Sequence, residues 1–157
     1  MGDMLAKLYD LPDHSGLVER LRKSGVEIRR ALPPEKRIIA EWVGRNFYPG
    51  WVSECERAIG LAPVACFIAV ENGAIVGFAC YDATCKGFFG PTGVAESARK
   101  RGIGTALLWT TLKAMEAFGY AYAIIAWVSS ETYYAKASGA VPIADSAPGI
   151  FRGMLTA

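Results

Sequence analysis

The chain has 157 residues, of which 52% are hydrophobic and 20% charged, and its formal net charge at pH 7 is +2. This length fits one domain with a proper core, and the composition excludes a disordered chain. The small net charge argues against a general nucleic-acid binder. The N-terminus carries no signal-peptide pattern, and no apolar run is long enough to cross a bilayer, so we expect a cytoplasmic protein without membrane contact.

Four cysteines and one histidine limit the chemistry available to the chain. Cysteines 55, 66, 80 and 85 show no C-x-x-C pairing, so their spacing predicts no metal site. Cys66 and Cys80 lie in apolar, strand-like runs and are expected to be buried, whereas Cys85 follows a polar turn. His14, the single histidine, lies far from any serine or cysteine motif, which argues against a nucleophilic triad.

The first sixty residues predict helices around one strand. An apolar start over residues 5–11 precedes a helical pattern that ends at residues 24–25. Residues 26–32 alternate between apolar and polar side chains, as a half-buried strand does. The two prolines at residues 33–34 stop that strand and start a helix, and a second helix is predicted over residues 52–59.

From residue 65 the pattern changes to that of strands. Residues 72–73, Asn-Gly, separate apolar runs over residues 66–70 and 74–81, which indicates a hairpin because both turn residues tolerate positive φ. A further strand is predicted over residues 87–94, where Pro91 would remove a ladder hydrogen bond. This strand is therefore expected to bulge or to leave the sheet at that point.

A long helix is predicted from Gly102 to Gly119, because apolar residues recur at helical spacing between the two glycines. The apolar run over residues 120–128 predicts a buried strand, parallel to the strand over residues 87–94 and joined to it by a right-handed crossover. The last three predicted elements are a helix over residues 131–137 and strands over residues 141–143 and 149–155.

Residues 99–105, where the long helix begins, carry the clearest functional signal. Three basic residues, two glycines and a hydroxyl gather there. A helix N-terminus presents unpaired N–H groups and the positive end of the helix dipole, and glycines let a ligand approach the backbone. The combination predicts a site for a phosphorylated ligand, most simply a pyrophosphate. A solvated basic loop, turned by its glycines, is the alternative that these residues alone leave open.

Two motifs together resemble a known family. The pattern Val94-x₄-Arg99-x-x-Gly102-x-Gly104 is similar to the Arg/Gln-x-x-Gly-x-Gly/Ala loop of the GNAT superfamily of acyl-CoA-dependent N-acyltransferases. Residues 133–140 resemble the tyrosine helix of the same family, at the expected distance from the loop. A Rossmann or P-loop site fits poorly, because Leu107 stands at the third glycine position and no Gly-Lys-Ser/Thr closes the loop.

The resemblance implies a fold and a domain organisation. We expect an α/β (α+β) fold with a mixed, mostly antiparallel sheet of six to seven strands, flanked by helices and splayed at a bulged central strand. Residues 1–157 would form a single N-acetyltransferase domain, in which residues 1–25 are an N-terminal extension and residues 26–155 are the GNAT core.

The resemblance also implies the roles of particular residues. Tyr134 matches the family's tyrosine acid, with Tyr133 as the competing assignment, and the main-chain N–H of Val94 is the candidate oxyanion donor. The bulged strand would pair with the pantetheine arm of coenzyme A, and the loop would hold its pyrophosphate. The implied cofactor-binding set is Gly93, Val94, Ala95, Arg99, Lys100, Arg101, Gly102, Ile103, Gly104 and Thr105.

The implied reaction is transfer of an acetyl group from acetyl-CoA to a primary amine of a small molecule or peptide. The amine would attack directly in a ternary complex, without a metal and without nucleic acid. The catalytic base is left open among Glu96, Asp82, Glu131 and water. A non-catalytic acyl-CoA-binding or regulatory module is the main alternative function.

Acceptor recognition is where the sequence is least informative. We assign it to residues 1–60 and to the final strands. Tyr48, Trp51 and Tyr81 are candidate walls of the acceptor pocket, although core packing explains each of them as well. The identity of the acceptor, the acyl-chain preference and the existence of a homodimer stay open.

Overall fold

Seven strands and five α-helices form within residues 1–156, the part of the chain that this computed structural model describes. The strands are β1 (Met4–Lys7), β2 (Val26–Arg30), β3 (Cys66–Glu71), β4 (Ala74–Tyr81), β5 (Phe88–Val94), β6 (Tyr122–Ile125) and β7 (Val141–Pro142). The helices are α1 (Ser15–Lys23), α2 (Lys36–Asn46), α3 (Gly50–Ile59), α4 (Ile103–Phe118) and α5 (Glu131–Ser138).

All seven strands belong to one sheet with the order β2-β3-β4-β5-β6-β1-β7. Every neighbouring pair is antiparallel except β5 and β6, which are parallel and joined through α4. The mixed, mostly antiparallel sheet predicted from the sequence is therefore confirmed. β1 lies between β6 and β7, so part of the segment that the sequence suggested as an extension contributes a strand to this sheet.

The hairpin between β3 and β4 forms where the sequence predicts it. Asn72 and Gly73 have φ angles of 50° and 75°, the left-handed values that a two-residue turn between twisted strands requires. The five helices also form at the predicted places, although α3 begins at Gly50, two residues before the predicted start. None of the helices within residues 1–156 has the length and apolar character needed to cross a bilayer.

Two predicted strands are wrong in extent or in kind. The strand predicted over residues 120–128 is limited to the four residues of β6, because Trp127 adopts a left-handed φ of 52° and cannot continue an extended strand. The strand predicted over residues 149–155 is absent. A 3₁₀ turn occupies Gly149–Phe151, and Gly149 and Gly153 have φ angles of 69° and 74°, which break an extended backbone.

A bulge in β5 opens the middle of the sheet. Ala79 of β4 pairs with Thr92 and Tyr81 pairs with Phe89, so two residues of β5 lie opposite one residue of β4. β6 pairs with β5 only at Phe88 and Phe89. Beyond the bulge the edge of β5 that faces away from β4 is therefore unpaired, and this confirms the expected splaying at a bulged central strand.

The helices cover the two faces of the sheet. A Cβ placed on Gly77 would lie 2.9 Å from Leu107 of α4, which locates α4 on the face to which residue 77 points. The next residue, Phe78, points to the opposite face and packs its ring against Trp42 of α2 and Trp51 of α3. α4 supplies a large share of the core through Leu107, Leu108, Leu112 and Met115, which are all buried.

Candidate active site

The N-terminus of α4 is open to a ligand. Gly102 precedes the helix with a φ of 88°, and no side chain caps the helix. The first bond to the helix backbone is from the Ala106 N–H to the Gly102 carbonyl at 3.0 Å. Within residues 1–156, the N–H groups of Ile103, Gly104 and Thr105 accordingly make no backbone hydrogen bond. Three free donors at the positive end of a sixteen-residue helix are an arrangement that favours anions.

The three basic residues before α4 do different things. Arg101 donates two hydrogen bonds to the Glu71 carboxylate at the end of β3, at 3.0 and 2.6 Å, and this bonding lowers the pKa of Glu71. Arg99 donates from Nε to the Val94 carbonyl at 3.2 Å. Lys100 is exposed, has a left-handed φ of 62°, and forms no ion pair with any residue in 1–156. Arg99 and Lys100 are thus the two cations nearest in sequence to the open helix end that are free of a carboxylate.

The space beside Gly104 lies between the loop and the tyrosine helix. A Cβ on Gly104 would approach only the Tyr133 hydroxyl and the Val94 side chain, each at 3.7 Å. The Tyr133 hydroxyl lies 3.2 Å from Oγ1 of Thr105 and shares a hydrogen bond with it. The structure therefore brings Val94, Gly104, Thr105 and Tyr133 together, and Tyr134 joins them through the packing of its ring on Tyr133.

The backbone of Val94 faces the open edge of β5. The Ala95 N–H donates to the Val76 carbonyl of β4 at 2.9 Å, and Val94 lies opposite Gly77 in the same register. Because hydrogen-bonded and non-hydrogen-bonded pairs alternate along an antiparallel ladder, the N–H and C=O of Val94 point away from β4. No strand pairs with β5 at this position within residues 1–156. The Val94 N–H is consequently available to a ligand that lies along this edge.

The two tyrosines of α5 differ in their surroundings. Tyr134 is half-buried, its burial raises its pKa to about 12, and its hydroxyl makes no hydrogen bond with residues 1–156. Tyr133 is more exposed, and its hydroxyl is engaged with Thr105. The two rings pack edge to face with centroids 5.0 Å apart. The Ser130 hydroxyl oxygen caps the helix by accepting a hydrogen bond from the Tyr133 N–H at 3.2 Å. This cap fixes the start of the helix that carries both rings.

One of the three candidate bases is excluded by its position. Asp82 follows β4 and accepts hydrogen bonds from the Tyr120 hydroxyl, at 3.0 and 2.9 Å, and from the Gly87 N–H at 2.7 Å. It lies five residues along β4 from Gly77, which is about 17 Å in an extended strand, so it cannot reach the region of Val94. Glu96 and Glu131 are exposed at the starts of short helices and stay as candidates.

An aromatic cluster on the α2 and α3 face covers β5 beside Val94. A Cβ on Gly93 would lie 2.6 Å from the Phe47 ring, so this ring rests directly on the Gly93 backbone. The cluster consists of Trp42, Phe47, Trp51 and Phe78, with ring centroids 5.4 to 6.2 Å apart. Phe47 was not predicted from the sequence, because no local pattern distinguishes it from a core residue.

The three residues predicted to line the acceptor pocket lie in different parts of the structure. Trp51 belongs to the aromatic cluster near Gly93, and Tyr48 is 54% exposed at the same end of α2. Tyr81 is buried, with only 1% exposed, and has the core role.

A separate cavity lies at the other end of α4. It has a volume of about 210 Å³, and its walls include Asp82, Phe118 and Tyr120. Phe118 ends α4, and sixteen helical residues span about 24 Å, so this cavity is remote from the open helix N-terminus.

Residues 29–137 match the family described as acetyltransferase (GNAT) family. The chain belongs to the GNAT acetyltransferase family. The matched region contains the α4 loop, the bulged β5 and most of the tyrosine helix of this GNAT chain. No curated protein sequence matches the chain.

Solved structures share the GNAT fold. The glucosamine N-acetyltransferase region of a fungal multi-domain GH3 β-N-acetylglucosaminidase has a TM-score of 0.73 at 18% identity, over 90% of this chain and 19% of that one. A GCN5-related N-acetyltransferase from Sphaerobacter thermophilus has a TM-score of 0.65 at 24% identity, over 90% of this chain and 48% of that one. This chain therefore spans about a fifth and about half of these two relatives. A GNAT acetyltransferase from Brucella melitensis, in complex with acetyl-CoA, has a TM-score of 0.55 at 20% identity, over 71% of this chain and 80% of that one.

Proposed function

We propose that this GNAT chain is an N-acetyltransferase that moves an acetyl group from acetyl-CoA to a primary amine, by direct attack in a ternary complex. The observation that carries the proposal is the adjacency of two backbone features. The uncapped N-terminus of α4 lies beside the unpaired edge of β5, and Arg99 bridges the two through its bond to the Val94 carbonyl.

The chain offers a chemically matched group to each part of acetyl-CoA. The pyrophosphate is an anion, and the free N–H groups of α4, with Arg99 and Lys100 beside them, bind anions. The Arg101 guanidinium is already paired with Glu71, so it would contact the phosphates only in part. Its main role would be to hold the loop against β3. The amide-containing pantetheine arm would lie along the open edge at residues 93–95, as an added strand does. The relative from Brucella melitensis, which has the same fold, is a complex with acetyl-CoA.

Acetyl-CoA supplies a thioester, whose carbonyl oxygen gains negative charge as the amine attacks. The Val94 N–H points to the edge where this oxygen would lie and would donate to it. Tyr134 holds its phenolic proton, because its pKa of about 12 is far above neutrality, and would pass that proton to the departing sulfur. Glu96, Glu131 or water would take the proton that the amine loses.

The acceptor would approach from the face that carries the aromatic cluster. Phe47 covers Gly93 on this face, and Trp51 packs against Phe47 with ring centroids 5.5 Å apart. An amine next to these rings would meet apolar and π surfaces, which favour cationic and apolar acceptors.

The test measures release of free thiol from acetyl-CoA in the presence of a panel of small primary amines and peptides, with mass spectrometry of the acceptor. We expect at least one amine to raise thiol release above the rate without amine, together with an acetylated product. Gly104→Glu, which places a carboxylate at the open helix end where a Cβ meets no atom closer than 3.7 Å, should abolish coenzyme A binding and thiol release together. Binding of acetyl-CoA without thiol release for any amine would contradict the proposed acetyltransferase activity and favour a non-catalytic acyl-CoA-binding module.

A further inference from the structure

Three cysteines from three different elements meet in the core. Cys55 lies on α3, Cys66 on β3 and Cys80 on β4, and their sulfur atoms all lie within 4.8 Å of one another. Each has an exposure of 0%. Cys66 and Cys80 are directly opposite each other on adjacent strands, and Cys55 packs over them from the helix layer. Within residues 1–156, no histidine or carboxylate joins this group, which we call the thiol cluster.

We propose that the thiol cluster is a three-thiolate site for a thiophilic ion, and that trivalent arsenic is the ion whose charge suits it. Trivalent arsenic keeps a lone pair and binds three thiolates as a trigonal pyramid, in which sulfur atoms that each lie about 2.3 Å from the ion are about 3.4 Å apart. The sulfur atoms of the cluster are already within 4.8 Å, so small side-chain movements would complete the coordination. The geometry alone admits several soft ions.

Net charge distinguishes among these ions. Three thiolates carry a charge of −3, so a monovalent copper ion would leave −2 in the core, and a divalent zinc ion would leave −1. All three sulfur-bearing side chains are fully buried, and an uncompensated charge is strongly disfavoured in the interior because it loses its hydration there. A trivalent ion gives a neutral complex. This neutrality favours arsenic over the two commoner metals.

The binding step is a balanced exchange without any change of oxidation state. Neutral arsenous acid, As(OH)₃, reacts with three thiols to give one As(S–Cys)₃ unit and three water molecules. Three As–O bonds break and three As–S bonds form, and each thiol proton leaves in one of the waters. No charged species has to cross the core. Access to the cluster requires α3 to open locally from the sheet, so we expect binding to be slow.

The experiment uses native mass spectrometry of the full chain after overnight incubation with sodium arsenite, with and without urea below the unfolding transition. The expected product contains one arsenic atom in place of three hydrogen atoms. Cys85→Ala is the matched control, because Cys85 is a half-buried cysteine outside the cluster. This variant should form the same adduct, whereas Cys55→Ala should lose the three-proton adduct. Parallel incubations with zinc and with monovalent copper test the charge argument.

The count of displaced protons is measured on the unaltered chain, so it does not depend on whether Cys55→Ala folds. Absence of an arsenic adduct in both incubations, under conditions in which a small dithiol binds arsenite, would overturn the proposal. An adduct that Cys85→Ala removes, or that Cys55→Ala retains with three protons lost, would overturn it too. A zinc complex tighter than the arsenic complex would overturn the choice of ion.

Discussion

Gly104 stands where a ligand phosphate would approach the first turn of α4, and its surroundings make it a sharp probe. A Cβ there would touch no atom closer than 3.7 Å, and alanine is favoured over glycine within helices by up to about 1 kcal/mol. We therefore predict that Gly104→Ala stabilises the fold slightly and keeps coenzyme A affinity within about threefold, because the family's loop accepts alanine at this position. Gly104→Glu, which brings a carboxylate to the free N–H groups, should lose coenzyme A binding. Thermal unfolding and calorimetric titration measure the two effects. Unchanged affinity in Gly104→Glu would remove this helix end from the coenzyme site.

Tyr134 and Tyr133 form a matched pair for testing the acid. Tyr134→Phe should lower kcat by about 100-fold, the usual contribution of a positioned acid, and leave the Kd of acetyl-CoA within about twofold. Tyr133→Phe removes the hydrogen bond to Thr105 and should have the smaller effect on kcat. The opposite order of effects would assign the acid role to Tyr133.

The pH dependence of the reaction gives a second test of Tyr134. Burial raises the pKa of this phenol from 10.0 to about 12, so it stays protonated throughout the range between pH 6 and pH 10. A proton donor with a raised pKa is lost only as the pH rises through that higher value. Profiles of kcat for the native chain and Tyr134→Phe should consequently run parallel up to pH 10. A falling limb near pH 8 that Tyr134→Phe abolishes would show that the phenol titrates there.

At the scale of single residues, the sequence predicted local chemistry and missed distant partners. Residues 99–105 were recognisable because their roles depend on the backbone next to them. The partner of Arg101 could not be recognised from the sequence, since Glu71 lies 30 residues away and only the sheet brings the two residues together. Phe47 was missed for the same reason, because its contact with Gly93 depends on how α2 packs on β5.

The loop before α4 acts as one element, although its three cations differ. Arg99→Ala should weaken coenzyme A binding by about fivefold to thirtyfold, the equivalent of about 1–2 kcal/mol for a charge-assisted hydrogen bond. Arg101→Ala should weaken it by less than about threefold, because this guanidinium is already paired with Glu71 at a partly exposed site. Calorimetric titration at one fixed salt concentration compares the two variants. A larger loss for Arg101→Ala would mean that its guanidinium leaves Glu71 for the phosphates.

The contact between α2 and β5 can be tested through Gly93. Its Cβ would lie 2.6 Å from the Phe47 ring, so Gly93→Ala must displace this ring from the aromatic cluster. We expect a loss of stability of about 1–3 kcal/mol, as for other overpacked sites, and a change in tryptophan fluorescence from Trp42 and Trp51. Gly104→Ala is the control, because it adds the same methyl group where no atom comes closer than 3.7 Å. Full stability in Gly93→Ala would show that Phe47 moves freely.

At the scale of elements, the sequence predicted those with strong local signals. The β3–β4 hairpin follows from Asn72-Gly73, and the bulge in β5 follows from its proline. The lengths of β6 and of the C-terminal elements were wrong, because apolar composition alone does not show where the backbone turns left-handed, as it does at Trp127 and Gly149.

At the scale of the whole molecule, the features that depend on long-range pairing could not be predicted from the sequence. The fold class followed from the family resemblance, but the place of β1 between β6 and β7 did not, since its four residues carry little pattern. The thiol cluster was likewise invisible, because the spacing of residues 55, 66 and 80 matches no metal motif and only the packing of α3 on the sheet joins them.

Hydrogen exchange with and without acetyl-CoA tests most directly where the coenzyme lies. We predict that acetyl-CoA slows exchange of backbone amides in two segments, residues 93–95 at the open edge of β5 and residues 99–105 at the start of α4. The turn at residues 72–73 and the cavity near Tyr120 should show no change. Protection at the cavity near Tyr120, with none in the two predicted segments, would contradict the coenzyme site proposed here.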